Sequence, residues 1–422
     1  MLFRSVAVIF EAISGRPTNA GLQAGMPRTG LADSEMASFD RIIPELMRKY
    51  QIPGGAVAVT KDGRLVMARG YGFADREARQ PVEPDSLFRI ASLSKAITSA
   101  TILRLVEEGR LTLDSRPFQM LNNLRAPAGA RVDRRIYEIT IRNLLQHSGG
   151  WDRDKSFDPM FRSVEIAQSL GVAAPAKPDD IIRYMLGQPL QFAPGTRYAY
   201  SNFGYCVLGR IIEKVTGQSY ESYVRSNTLG PAGITCMRIG HTLPRERAPK
   251  EVRYYGYPGI GEAASVFPNQ RQKVPWPYGG WYIEAMDSHG GWIASAVDLL
   301  RFIDEIDGWS NPQMLRRPTI QTMVARPAPP LWVNTDTWYG MGWQVRPVNP
   351  GQNWWHLGTL DGTTTIMVRA YNGLAWVALF NSRPKNSDAF DDELDSVLWK
   401  AIGGVSRWPQ GNLFDRFRGC GG

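Results

Sequence analysis

Phe88-Arg89-Ile90-Ala91-Ser92-Leu93-Ser94-Lys95 carries an S-x-x-K motif, Ser92 to Lys95, at the head of an apolar-periodic run. The spacing predicts a helix from about Ser92 to Glu108, with Gly109 as its stop. Three residues make nearly one helical turn, so Ser92 and Lys95 share a face. A serine hydroxyl is inert near neutral pH and needs an adjacent base. A partly desolvated lysine one turn away can have a lowered pKa and take the proton. The helix amino terminus also offers N–H groups to a developing oxyanion. Alone the motif is weak, since chance supplies about half a copy in a chain of this composition. A second copy does stand at Ser382-Arg383-Pro384-Lys385, where Pro384 argues against a helix. Without further elements, Ser92 reads more readily as a helix cap beside a solvated lysine.

Upstream, Met36, Phe39, Ile42, Ile43, Leu46 and Met47 recur at helical spacing, predicting a helix over residues 34–50 that Pro44 can kink. Residues 56–60 and 65–70 read as strands joined at Asp62-Gly63, a hairpin signal. Downstream, residues 116–285 are rich in Pro and Gly, with helical pieces at 138–146, 179–186 and 203–216. Strand-like runs return at 343–345, 364–368 and 374–380, and a last amphipathic helix covers about 388–402. This order predicts an α+β fold: one sheet assembled from both chain ends and flanked by the terminal helices.

Tyr200-Ser201-Asn202 is the chain's one Y-x-N motif, between the turn Ala193-Pro194-Gly195-Thr196 and the helix at 203–216. A tyrosine beside a lysine ammonium can have its pKa lowered from about 10 and shuttle protons. The asparagine can hydrogen-bond the lysine or a substrate. The plain alternative is an Asx cap and a half-buried tyrosine. Three H-x-G triplets compete for a third role: His147-Ser148-Gly149, His289-Gly290-Gly291 and His356-Leu357-Gly358. Only the last adjoins strand-like sequence near the carboxyl end, where a sheet edge could offer the Thr359 N–H as an oxyanion donor. For His147 and His289 a structural hydrogen bond is the expected role.

Composition sets outer bounds. With 43% hydrophobic residues and 21% charged, global disorder is excluded. No apolar run approaches the roughly 18 residues of a membrane span. The net charge of +9 is dispersed: the short basic groups at Arg131–Arg135 and Arg245–Arg247 are each broken by an acid. Nucleic-acid binding is not expected. The three cysteines lack C-x-x-C spacing, so neither a structural zinc site nor a disulfide scaffold is expected, and one cysteine must stay unpaired. The G-x-S-x-G elbow, the phosphate loop and the H-E-x-x-H zinc helix are absent. Residues 1–32 read as a disordered or loosely ordered lead whose apolar run, cut at Glu11, is short for a secretory signal, which points to a cytoplasmic protein.

Taken in order, the motifs resemble the serine β-lactamase-like superfamily, on the branch of class C β-lactamases, D,D-peptidases and family VIII carboxylesterases. The resemblance runs through Phe88–Lys95, Leu144–Gly150, Pro194–Asn202, Gly290–Leu299, Tyr339–Trp343 and His356–Gly358. It implies a β-lactamase/transpeptidase-like fold, an α/β lobe with an antiparallel sheet plus an all-helical lobe, with the site between them. The expected division is a lead at 1–32, an α/β lobe from 33–115 and 286–405, a helical lobe at 116–285, and a tail at 406–422. The resemblance implies Ser92 as acyl-accepting nucleophile, with Lys95 and Tyr200 sharing general-base and general-acid work. Asn202 would bridge lysine and substrate. His356-Leu357-Gly358 would stand for the Lys-Thr-Gly of the penicillin enzymes, and the N–H groups of Ser92 and Thr359 would bind the oxyanion. No metal or cofactor is implied.

The replacement of that lysine bears on the substrate. His356 is mostly neutral at its ordinary pKa of about 6.5 and would bind an anion less well. Trp276, Tyr278, Trp281, Tyr282, Trp292, Trp354 and Trp355 would give the cleft an aromatic wall suited to uncharged groups, about half of them being core instead. The expected activity is a carboxylesterase for short-chain or aromatic esters, with weak β-lactamase activity as a side reaction. The alternatives are a D-amino-acid peptidase, amidase or β-lactamase of the same fold, and a non-catalytic binding protein on this scaffold. The expected partner is a small-molecule ester or amide; nothing in the pattern speaks to oligomeric state.

Overall fold

The computed structural model describes residues 25–270, 273–308, 314–417 and 419. Strands β1 (Arg28–Ala32), β2 (Gly54–Lys61) and β3 (Arg64–Asp75) come from the front of the chain. Strands β4 (Trp338–Tyr339), β5 (Gln344–Val348), β6 (Gly351–Leu360), β7 (Thr363–Arg369) and β8 (Leu374–Phe380) come from the back. They form one antiparallel sheet in the order β1-β3-β2-β8-β7-β6-β5-β4, with Gln80–Pro81 added on β3. The halves join where β2 pairs β8, from Gly55 opposite Phe380 to Lys61 opposite Leu374. Asp62 and Gly63 both take positive φ, 51° and 71°, as the tight β2–β3 hairpin requires.

Two differences from the sequence reading stand in this sheet. Residues 28–32, placed in a loose lead, pair with Met67–Tyr71 as an edge strand. Their exposed side chains carry no alternation to reveal them, and the backbone ladder alone recruits them. The expectation for residues 1–24 lies outside the described residues. The whole of β6 was also unforeseen apart from its edge character at Thr359. It alternates buried and half-buried positions from Trp354 to Leu360, but with His, Gly and Thr among them.

Helix α1 (Ala37–Lys49) contains Pro44 and buries Phe39, Ile42, Ile43, Leu46 and Met47. The carboxyl-terminal helix α8 (Ser387–Gly403, numbered after the helices given next) buries Phe390, Leu394 and Leu398 at four-residue spacing. Both cover one face of the sheet. Against the other face lie α2 (Ser94–Glu107) and α7 (Ala296–Asp307), whose core is continuous with that of α3 (Ile141–Leu145), α4 (Ser163–Leu170), α5 (Pro178–Leu186) and α6 (Asn202–Thr216). Helix α2 is buried on nearly every side, from Ser94 to Leu103, which marks it as the central helix of the molecule. Beyond α8, Phe414 of a short turn is buried under Arg301, whose guanidinium donates to the Phe414 carbonyl, so part of the expected tail is docked. No helix among the described residues is long and apolar enough to cross a membrane. Cys206 is free and buried, and Cys236 is disulfide-bonded, a state uncommon in a reducing cytosol.

Candidate active site

The turn Ala91–Leu93 links the short strand Phe88–Arg89 to α2 and lifts Ser92 into a cleft. Ala91 takes φ 46°, a left-handed conformation that costs an ordinary residue about 1 kcal/mol. The turn is pinned from behind: the Ile90 N–H donates to the Trp292 carbonyl, and Phe88 pairs with Ala294. One helical turn on, Lys95 is fully buried. Its Nζ lies 3.0 Å from Ser92 Oγ, 2.8 Å from Asn202 Oδ1 and 2.9 Å from the His289 carbonyl oxygen. Burial holds the ammonium well below its ordinary pKa; Asp158 opposes this and Arg153 adds to it.

Ser201 caps α6, its hydroxyl accepting from the Gly204 N–H at 3.1 Å. That cap sets Tyr200 and Asn202 on either side of the helix start. The Tyr200 ring lies under Lys95, with Nζ 4.8 Å from its centroid, and its phenol is near enough to the Ser92 side chain for the serine to favour the phenolate. The phenol's pKa is raised, not lowered as the motif suggested. Burial penalises the phenolate more than Ser92 and the Arg153 guanidinium favour it, and the Lys95 amine is itself pushed toward neutrality.

His356, Gly358 and Thr359 lie on β6, beyond the point where β5 stops pairing at Gln344 opposite Trp355. The freed edge of β6 is occupied by the Ser92 turn. A Cβ on Gly358 would collide with the Ile90 carbonyl and Thr365 Oγ1, so glycine is what lets the strand and turn meet. The two-residue turn after Leu360 makes Leu360 and Thr363 a hydrogen-bonded pair. By alternation the Thr359 N–H points away from β7, toward the open edge. His356 is buried, with Nδ1 2.6 Å from the Leu357 carbonyl and Nε2 3.0 Å from Tyr339 Oη. Nδ1 therefore carries the proton and Nε2 accepts from the phenol. Burial, helped by Lys95, pushes the imidazole down to about 3, so it is neutral.

The structure thus brings Ser92, Tyr200, Asn202, His356 and Thr359 to one cleft of about 240 Å³, with Lys95 buried behind Ser92 and Asn202. The second S-x-x-K, Ser382 to Lys385, lies in the irregular stretch before α8. The aromatic wall does not form. Of the seven tryptophans and tyrosines assigned to it, none lines the cleft, whose aromatic side chains are Tyr200 and Phe161 beside the His289 and His356 imidazoles. Tyr278 and Trp281, with Tyr254, surround the buried guanidinium of Arg89 instead. Trp292 is core, donating from Nε1 to Tyr220 Oη.

Three contributors escaped the sequence reading. The His289 carbonyl holds Lys95. Asp158 Oδ2 accepts from Asn202 Nδ2 at 2.6 Å. Arg153 places its guanidinium over the Tyr200 ring, 4.8 Å from the centroid. Arg153 and Asp158 belong to the charged loop that follows His147-Ser148-Gly149-Gly150, the one sequence cue to them. His147 makes the structural bond foreseen for it, Nδ1 accepting from the Ser201 N–H at 3.1 Å. Away from the cleft, His241, Glu246 and Glu284 bring ligand atoms within 4.8 Å of one another. Glu284 is already engaged by the Thr242 N–H and hydroxyl.

A family model, Beta-lactamase, matches residues 39–397. Esterase EstB of Burkholderia gladioli is 31% identical over 206 residues, 48% of this chain and 51% of EstB. Protein flp of Staphylococcus aureus (strain N315) is 29% identical over 207 residues, 49% of this chain and 39% of flp. The matches thus span about half or less of those relatives. The solved D-amino acid amidase of Ochrobactrum anthropi SV3, complexed with L-phenylalanine amide, superposes with a TM-score of 0.68 at 22% identity, covering 89% of this chain and 100% of that one. With its model matched across most of the sequence, and the β-lactamase/transpeptidase-like fold around this cleft, the chain belongs to the Beta-lactamase family.

Proposed function

We propose that the protein is a serine hydrolase that forms an acyl-enzyme on Ser92 and acts on carboxylic esters. One observation carries the reading: a fully buried amine, disposed to be neutral, stands 3.0 Å from the Ser92 hydroxyl. Neutral Lys95 takes the Ser92 proton as Oγ attacks the ester carbonyl carbon. The N–H groups of Ser92 and Thr359 hold the oxyanion that results. Tyr200, a phenol rather than a phenolate, gives its proton to the departing alkoxide and recovers one from the Lys95 ammonium. Asn202 orients the amine throughout. Water then attacks the acyl-enzyme by the reverse proton path and frees Ser92.

The neutral His356 favours esters over β-lactams, because no cation stands at that point of β6 to receive a drug carboxylate. The likeness to EstB supports the same choice. The test is hydrolysis of p-nitrophenyl acetate and butyrate by the wild type and Ser92→Ala. The variant is expected to lose on the order of a thousandfold or more of kcat/KM. A fluorophosphonate probe should label Ser92. Undiminished turnover in the variant overturns the mechanism. Cleavage of D-amino-acid amides without ester turnover moves the assignment to an amidase.

A further inference from the structure

We infer that Arg153 is a specificity-determining residue that binds a carboxylate on the leaving-group side of the substrate. The inference rests on Ser92 and Tyr200 acting as proposed above, since it takes its orientation from Tyr200.

The argument is one of elimination within the cleft. Lys95 is fully engaged with Ser92, Asn202 and the His289 carbonyl. His356 is neutral, and both its ring nitrogens are occupied. Arg153 is the one arginine or lysine among the described residues lining the cleft. Its side chain is 41% exposed. Its acidic neighbours are Asp158 at 3.7 Å and Asp154 at 3.9 Å, both beyond hydrogen-bond reach. Asp158 is already taken by the Asn202 amide and the Met160 N–H. The guanidinium is therefore oriented, by the Tyr200 ring beneath it and two loose ion pairs, yet keeps its N–H fork open. An open fork is matched by a carboxylate, which it can hold through two parallel charge-assisted bonds. Because Tyr200 protonates the leaving group, the group that Arg153 overlies is the one departing.

The experiment compares 4-acetoxybenzoate with its neutral methyl ester, a pair that differs in the charge of the leaving group. The ratio of their kcat/KM values is expected to fall about tenfold in Arg153→Gln and further in Arg153→Glu, with Arg153→Lys intermediate. Added salt should erode the wild-type preference. A ratio in Arg153→Gln within about twofold of wild type, with turnover still dependent on Ser92, overturns the inference. Calorimetric binding of 4-hydroxybenzoate against 4-hydroxybenzamide to Ser92→Ala, with and without Arg153→Gln, supplies a readout free of chemistry. An anion preference abolished by Arg153→Gln supports the site even where neither ester turns over, and it is then the hydrolase reading that fails. Equal binding of the two ligands, or a preference untouched by Arg153→Gln, removes Arg153 from recognition.

Discussion

Asp158 holds the amide nitrogen of Asn202 at 2.6 Å and so decides which end of that amide faces the amine of Lys95. Oxygen and nitrogen of an amide occupy nearly the same space, and only their partners fix the orientation. Asp158 is itself steadied by the Met160 N–H at 3.1 Å. Asp158→Ala should release the amide and lower kcat/KM by about ten- to a hundredfold. Asp158→Asn can still offer an oxygen and should lose less. Both remove a negative charge that supports the lysine ammonium. The Lys95 pKa should therefore fall further, and the acid limb of kcat/KM should move to lower pH. A pH profile in either variant superposing on wild type refutes the connection.

Gly358 is the contact point between β6 and the Ser92 turn. A methyl group there meets the Ile90 carbonyl and Thr365 Oγ1, which is itself bonded to that carbonyl at 3.1 Å. Gly358→Ala should cost about 1–3 kcal/mol of stability, as overpacking does. It should also displace Ser92 from Thr359 and depress kcat more than it raises KM. Denaturant unfolding beside steady-state kinetics measures both effects.

His147 takes φ 54° and accepts the Ser201 N–H on Nδ1, tethering the peptide next to Tyr200. Asparagine tolerates this conformation and carries an acceptor; alanine does neither. His147→Asn should therefore keep more activity than His147→Ala, which should lose about 1–3 kcal/mol of stability. Equal behaviour of the two variants in thermal melts and kinetics would show that the tether is idle.

Much of this site was legible because its parts are local in sequence. Ser92 and Lys95 are one helical turn apart, and the capping Ser201 fixes Tyr200 and Asn202 around a helix start. Strand β6 was illegible because it carries residues that spoil a strand pattern: Gly358, which allows close approach, and His356, which meets Tyr339. The direction of the Tyr200 pKa could not be read either. Proximity of an amine is visible in a motif, whereas desolvation depends on what the rest of the chain packs around it. The tryptophans misled for the same reason, since bulk and polarity do not say which side of a wall a ring occupies.

Asp391 in α8 has a buried oxygen without a hydrogen-bond partner among the described residues. Burial, with Asp388 adding, pushes its carboxyl up to about 7. Its unfolded value is about 3.9, so the folded state prefers the protonated form. The resulting penalty is absent below that unfolded value, grows as pH rises through the interval, and is complete above the folded one. Asp391→Asn should remove it, stabilising the protein by about 1 kcal/mol at about pH 8 after solvent screening, and by nothing at about pH 4. Melting curves at the two pH values give the answer; an equal gain at both contradicts it.

The seam between β2 and β8 has a bearing on biosynthesis. The last of the described strands to be made, β8, slots between the early β2–β3 hairpin and the later strand β7. Until then the early hairpin has an unsatisfied inner border, exposed to any other extended chain nearby. Closure of the sheet is thereby postponed until β8 has been made.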